Sequence, residues 1–521
     1  MTSRKAGTEP WLALGLGLTL LVAFVLIRAL SLDADPPLQL PHGASSRELW
    51  AEWGAKAHEA RNVALFGRWQ VNPADNYGFW RPQAPLWVYS LASFLELFGV
   101  SPVAVRAHSI LVASVGFVMT LLYAKKGLGL RAVLVAGCFM AFNCYYIFYT
   151  RAGLMEPMVN LFAAATVLTA YLSLSDPRWL SATTVCLILT AFSKSSGFYL
   201  VPVVFAAGVV ALVRAHRASL PRSRWLLPVA ISALLLCAVG LYATTDVYHQ
   251  RTAWSFGHMA YNKSSATEVD LSKFELSAVL RRLFDPKRWT TRFFPLFPVA
   301  ASCSVVALVY AVRNFVKVRR FDWDTLTALW FLAALASLQL TDRGHARYYL
   351  VLFPPVALLG ARGVELILGA VRRWRFAEAL VLLTVLGLFF QYHGSRYLNW
   401  WEHRRYEIRD TNRAVQRIIG EHADAVVIGM WSPWLVFDSS YENYIVRGYF
   451  NVEKAALEKL GVTHLLLLDR DLAGARFKGA FPKQYAKKKK LESFDVYGQK
   501  LTLYELPRAS AGLANVKNKR R

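Results

Sequence analysis

Apolar runs of about 18–25 residues, each with little or no charge, recur along the chain as far as residue 392 and are separated by short polar breaks. A run of that length is what an α-helix needs to cross about 30 Å of hydrocarbon. The pattern predicts spans at roughly 11–31, 103–123, 130–149, 154–174, 179–194, 197–213, 225–243, 293–312, 324–340, 348–369 and 376–392, about eleven in all. The first run follows Arg4 and Lys5. Leu26–Ile27–Arg28–Ala29–Leu30 continues it instead of offering a small-residue cleavage site, so it is read as an uncleaved span. The run Ala84–Phe98 is shorter and interrupted, and suits a helix lying in the membrane interface.

Composition agrees with a polytopic α-helical membrane protein. Of 521 residues, 55% are hydrophobic and 18% charged, against roughly 45–50% and 25% in soluble chains. A soluble enzyme, a disordered chain and a disulfide-stapled module are excluded. The formal net charge of +26 would suggest nucleic acid in a soluble protein. Here the basic residues collect in short loops, as cytoplasmic loops do, and no nucleic-acid partner is expected. Lys125, Lys126 and Arg131 share one side with Arg214, Arg217, Arg222 and Arg224, with Arg313, Lys317, Arg319 and Arg320, and with Arg372, Arg373 and Arg375. Arg4 and Lys5 agree with them, so the N-terminus is placed inside and, after an odd number of spans, the C-terminus outside. The cysteines Cys138, Cys144, Cys186, Cys237 and Cys303 lie in or beside apolar runs without a CxxC pair. They are read as packing residues.

Three polar segments then face the extracytoplasmic side: about 32–102, about 244–292 and the tail from about 393. Residues 1–394 form the membrane domain with its two outer loops, and 395–508 a small extracytoplasmic α/β domain. In the latter, "AVVIGM" and "THLLLLD" predict strands, "WEHRRYEIRDTNRAVQRIIGEH" a helix, and "NVEKAALEKLG" a helix capped by Asn451 and closed by Gly461. "KLESFDVYGQKLTLYELP" predicts a hairpin turning at Tyr497–Gly498. The run Lys487–Lys490 reads as a solvated face, and the basic tail 509–521 is expected to be disordered.

Charges at the outer ends of spans are costly unless paired or used. In "SSRELWAEWGAKAHEARNVALFGRW", Glu48, Glu52 and Glu59 fall on one helix face, as a proton acceptor among neighbouring acids would require, or simply as a wet face. In "FYTRAGLMEPMVN", Arg151 and Glu156 stand where one span ends and the next begins, although a helix start also favours an acid. Lys194 in "LTAFSKSSGFY" has no acid nearby in sequence and suits a phosphate ligand, or else snorkels. In "TDRGHARYYLVLFPP", Asp342, Arg343, His345 and Arg347 precede Tyr348 and Tyr349. Arg347 lies nearest the apolar run and is the better anion ligand.

Several of these stretches resemble membrane glycosyltransferases of the GT-C fold, and within them the protein O-mannosyltransferase and lipid A aminoarabinose transferase group. "KAHEARNVALFGRW" resembles their first outer loop and "YTRAGLMEP" their second acidic motif. "FGVSPVAVRAHSILVASVGFVMTLLYAKKGLG" is similar to the span between, and "RYYLVLFPPVALL" to the start of a later one. The likeness covers about residues 10–395 in order. It implies transfer of a sugar, with inversion, from a polyprenyl-phosphate donor to a protein, lipid or glycan acceptor outside a bacterial inner membrane. No nucleotide sugar and no metal cofactor are implied. His42, His58, His249, His258 and His345 are also too scattered in sequence to argue for a metal.

By position, the resemblance puts Glu52 in the place of the first-loop acid. The usual Asp–Glu pair is replaced by "EWG", so Glu48 or Glu59 is left to share the role. Arg81 in "FWRPQAPLW", Lys194 and Arg347 would contact donor phosphate, with Arg151, His345 and Tyr348 in the binding set, and Glu156 would orient the acceptor or the loop. Two rival classes remain open on sequence: a transporter of an anionic or lipid-linked substrate, and a non-catalytic scaffold with an outer binding domain.

Overall fold

A computed structural model describes residues 9–37, 52–78, 80–243, 285, 293–340, 346–420, 424–446, 451, 458–468, 472–480 and 482–507. Glu48, His345, nearly all of the loop 244–292 and the tail beyond 507 lie outside these residues. So does most of the helix expected after Asn451.

The apolar runs form rods that traverse the bundle in alternating directions. These are α1 (Glu9–Ala29), α5 (Pro102–Gly127), the pair α6 (Leu130–Ala141) and α7 (Cys144–Thr150), α8 (Glu156–Ser173), and α9 (Trp179–Ser193). They continue with α10 (Val201–Arg217), α11 (Ser223–Ala243), α12 (Pro298–Val318), α13 (Trp323–Leu340), α14 (Phe353–Val371) and α15 (Arg375–Glu402). Among the described residues, six helices are individually long and apolar enough to cross a membrane, and α6 and α7 together pass as one span bent by 61°. Shorter apolar helical stretches are Leu14–Ala29 of α1, Trp179–Ser193 (α9), Trp323–Leu338 of α13 and Pro85–Phe98. Leu14, Leu18, Val22 and Leu26 form an exposed stripe on α1, and α11, α12 and α15 carry similar ones. Such a stripe at four-residue spacing is a lipid-facing surface.

Helices descending from one end of the bundle begin with proline in the first turn, as in α5, α8, α10, α12 and α14. Proline is suited there because the N–H it lacks has no helical partner in the first turn. The opposite end collects Lys125 and Lys126, Arg214 and Arg217, and Lys317 in last turns. There Arg362 binds Asp324 at 2.9 Å and Glu365 at 2.6 Å, joining α13 to α14. The helices α12 and α14 meet at Gly363, where any Cβ would strike the Cys303 carbonyl, the close approach that small residues allow in membrane bundles.

Between α1 and α5 lie α2 (Trp53–Phe66), α3 (Trp80–Gln83) and α4 (Pro85–Phe98). At 14 residues, α4 extends about 21 Å, too short to span, in keeping with the interfacial reading.

The C-terminal domain is α/β. Strands β1 (Val426–Gly429), β2 (Glu442–Ile445), β3 (His464–Leu468), β4 (Lys489–Val496) and β5 (Gln499–Glu505) form one sheet in the order β2-β1-β3-β5-β4. β1 runs parallel to β2 and β3, while β5 is antiparallel to β3 and β4. The hairpin turns at Tyr497 and Gly498, both with positive φ, as a two-residue type I′ loop requires. α16 (Glu407–Ile419) and the short α17 (Ser432–Leu435) flank the sheet. One expectation changes. The last helix runs on to Glu402 rather than ending near 392. Asn451 has φ +52 and its side-chain amide donates to Asp75 Oδ1 at 2.7 Å; the start of the helix expected after it lies outside the described residues.

One hydrophobic core runs without a break from the bundle into one face of the sheet. Phe117, Tyr149 and Leu350 share it with Val427, Trp434, Ile445 and Leu466. The segment after α1 is clamped in the same junction. Arg106 donates to the carbonyls of Leu32 and Ala34, Trp400 donates to that of Asp35, and the Ile408 N–H donates to the Asp35 carboxylate.

Candidate functional site

The charged cluster is assembled at the proline-marked end of the bundle. Glu52 is the residue before α2 and occupies its N-cap position, with no hydrogen bond from its carboxylate to the helix backbone. That leaves the carboxylate free for other partners near the positive end of the helix. It forms an ion pair with the Arg347 guanidinium, and Oε2 also lies 3.2 Å from Lys56 Nζ one turn along the helix. Glu156, in the first turn of α8, accepts from Lys194 Nζ at 2.5 Å. Lys194 ends α9 in extended backbone before a 3₁₀ turn over Ser195–Leu200.

Tyr348 joins the two pairs. Its hydroxyl accepts from Arg347 Nη2 at 2.9 Å. The ring centroid lies 4.7 Å from both the Arg347 guanidinium carbon and Lys194 Nζ, within cation–π range. Lys56, at 2% exposure, adds a third cation; it feels the Glu156 charge and sits 5.3 Å from the Trp80 ring. Three cations and two carboxylates thus form one largely buried cluster, where their fields are stronger than in water. Glu156 Oε2 and Arg347 Nε are buried without a hydrogen-bond partner among the described residues, and buried polar atoms of this kind usually have one.

The remaining sequence candidates fall elsewhere. Glu59 is not beside Glu52: its Oε2 accepts the backbone N–H groups of Trp80 at 2.7 Å and Arg81 at 2.9 Å, fixing the start of α3. Among the described residues the ion-pair partners of Glu52 are the cations Lys56 and Arg347; Glu48, the third member of the expected carboxylate row, lies outside them. Arg81 is tied to that turn and its guanidinium stands 5.4 Å from the Trp69 ring. Arg151 donates to the Ser31 carbonyl and lies 4.7 Å from the Trp400 ring, so it braces the exit of α1 against α15. Glu48 and His345 are outside the described residues. Sequence reasoning missed Lys56, although its i,i+4 spacing from Glu52 is the spacing of helical ion pairs.

Among the described residues, no group of three or more His, Cys, Asp and Glu side chains gathers as a metal site.

Residues 74–253 match the family model of dolichyl-phosphate-mannose-protein mannosyltransferases. No curated protein sequence matches the chain. Among solved structures, ArnT from Cupriavidus metallidurans bound to undecaprenyl phosphate is similar over 97% of this chain and 99% of that one, with TM-score 0.60 and 12% identity. The archaeal oligosaccharyltransferase AglB from Archaeoglobus fulgidus, in complex with an inhibitory peptide and a dolichol-phosphate, is similar over 88% of this chain and 70% of that one. Its TM-score is 0.51 and its identity 12%. The chain is an integral membrane protein with the GT-C glycosyltransferase fold, and its segment 74–253 carries the mannosyltransferase family match.

Proposed function

We propose that the protein moves a sugar from a polyprenyl-phosphate donor to an acceptor hydroxyl on the extracytoplasmic face of a bacterial inner membrane. The observation that carries this reading is the meeting of Glu52, Lys56, Glu156, Lys194 and Arg347 in one pocket at the end of the bundle away from the basic loops. The similarity to an ArnT structure holding undecaprenyl phosphate supports the donor class.

In this scheme the acceptor oxygen attacks the anomeric carbon while the bond from that carbon to the phosphate oxygen breaks. The electron pair leaves with the polyprenyl phosphate, and inversion follows from attack opposite the leaving group. Arg347, Lys194 and Lys56 neutralise the charge gathering on the phosphate, the kind of preorganised stabilisation that dominates many rate enhancements. Glu52 takes the hydroxyl proton as general base. Glu156 holds Lys194 in place and offers its second oxygen to a substrate hydroxyl. Residues 1–394 supply the chemistry and 395–508 form the extracytoplasmic domain. The scheme calls for neither a nucleotide sugar nor a metal.

The test uses the purified protein in lipid nanodiscs with a panel of radiolabelled polyprenyl-phosphate sugars and an extract of envelope acceptors. Label should pass from the lipid into a protein, lipid or glycan fraction, which also identifies the acceptor. Failure of every donor to lose its sugar would sink the proposal.

A further inference from the structure

Glu52 immediately precedes helix α2 and Lys56 lies in its first turn, and the helix is seated on the C-terminal domain both at its start, through Trp53 and Gly54, and further along, through Arg61. Arg61 is fully buried at that seat. Its Nε donates to the Phe437 carbonyl at 2.5 Å, and Nη2 donates to those of Ser439 at 2.7 Å, Tyr441 at 2.9 Å and Val436 at 3.3 Å. All four acceptors belong to the loop after α17. A planar guanidinium is suited to such a converging set, and an ammonium is not. The seat is also close-packed. A Cβ on Gly54 would lie 2.8 Å from Trp434 Cδ1 and 2.9 Å from the Pro433 carbonyl oxygen, and the Trp53 ring stands 5.0 Å from that of Phe437. The loop beyond α2 is held too, since Asn451 and Asn76 exchange backbone and side-chain hydrogen bonds at 2.7 and 3.1 Å.

We infer that the C-terminal domain sets the position of the Glu52-bearing helix, with Arg61 as the positioning residue. Arg61 touches no ion of the pocket; it acts through α2, about 14 Å along the helix from Glu52. A small rotation at the seat displaces the Glu52 carboxylate by an ångström or so, which is enough to cost about 10²-fold in turnover. The domain is thereby part of the catalytic frame rather than an appended binding module. The catalytic consequence rests on the function proposed above; the seating itself does not.

The experiment compares wild type, Arg61→Ala, Arg61→Lys and Gly54→Ala in the full-length protein in nanodiscs. Arg131→Ala, at the exposed pair with Glu378, serves as control. Turnover at saturating donor and donor KM are measured beside hydrogen exchange of the amides 53–66. Arg61→Ala should lower turnover about 10²-fold, leave donor KM within about threefold, since a positioning loss falls on turnover rather than binding, and speed exchange in α2. Arg61→Lys should recover part of both. Full turnover with unchanged α2 exchange in Arg61→Ala would overturn the inference. If Arg61→Ala does not fold, the same two readouts in Gly54→Ala and Arg61→Lys decide the matter by the same criteria. Should the wild type move no sugar from any donor, the proposed function fails while the exchange comparison still decides the seating.

Discussion

Lys194 donates to the Glu156 carboxylate across 2.5 Å, a largely buried ion pair that ties the end of α9 to the first turn of α8. Removing one partner of such a pair leaves the other as an uncompensated buried charge, which typically costs about 3–5 kcal/mol. Lys194→Met should therefore lower thermal stability by about that amount. The double variant Glu156→Gln/Lys194→Met should regain most of it. A Lys194→Met protein that melts with the wild type would show that the pair does not hold the helices together.

The two acids of α2 should separate cleanly. Glu52→Gln keeps the shape and removes the proton acceptor, so turnover should fall about 10²–10⁴-fold with donor affinity retained. Glu59→Gln keeps an oxygen for the Trp80 and Arg81 N–H groups and should leave turnover near wild type. Glu59→Ala strips the cap from α3 and should cost about 0.5–2 kcal/mol of stability. Steady-state kinetics and melting curves on the three proteins test the division, and a dead Glu59→Gln beside an active Glu52→Gln would reverse the assignment.

Lys56 faces the same carboxylate as Arg347 and is placed to share the donor phosphate. A charge-assisted hydrogen bond contributes about 1.5–3 kcal/mol, so Lys56→Met should weaken donor binding about 10–100-fold. Equilibrium binding of polyprenyl phosphate at low salt measures this. Unchanged affinity would confine Lys56 to holding Glu52.

Burial pushes the Asp35 carboxyl up to about 7 against the pull of Arg106 and of the backbone N–H groups of Ile408 and Glu407, with the Glu407 charge adding to the rise. Its folded value lies above its ordinary value of 3.8, so between these the folded state holds the extra proton. Stability from this group is present at low pH and is lost as pH rises through about 7. Wild type measured against Asp35→Asn should lose relative stability as pH rises from about 4 to about 7, the window between those two values, and change little above it. A difference that is flat or rising across that range would refute the buried, protonated state.

Much of the bundle was legible because the thickness of hydrocarbon dictates the length of each apolar run, and basic loops mark one end. The hairpin at Tyr497–Gly498 and the strands β1 and β3 were legible from local pattern. β2 was missed, as Glu442–Ile445 is only four residues long and opens with charge. The site was half legible. Glu52, Glu156, Lys194 and Arg347 stood out as charges beside apolar runs, and the structure gathers them. The role of Glu59 was not, because helical periodicity reports a shared face and says nothing about the N–H groups of Trp80 and Arg81 arriving from another turn. Lys56 and Arg61 escaped notice for a related reason: in a helix with many polar residues, a buried cation and a wet one look alike until the partner surface is known.

The unbroken core between bundle and sheet bears on the order in which the protein is made. Translation delivers the segment holding Glu52 early, while the carbonyls of Val436, Phe437, Ser439 and Tyr441 that receive Arg61 come from the last part of the chain. Domains fold as they emerge, N-terminal parts first, so the membrane rods are inserted well before α2 has its seat. Nascent or prematurely terminated chains would therefore hold the pocket's cations without a fixed Glu52. By this order the seat of α2 is complete only once the segment through Tyr441 has been made and has left the ribosome.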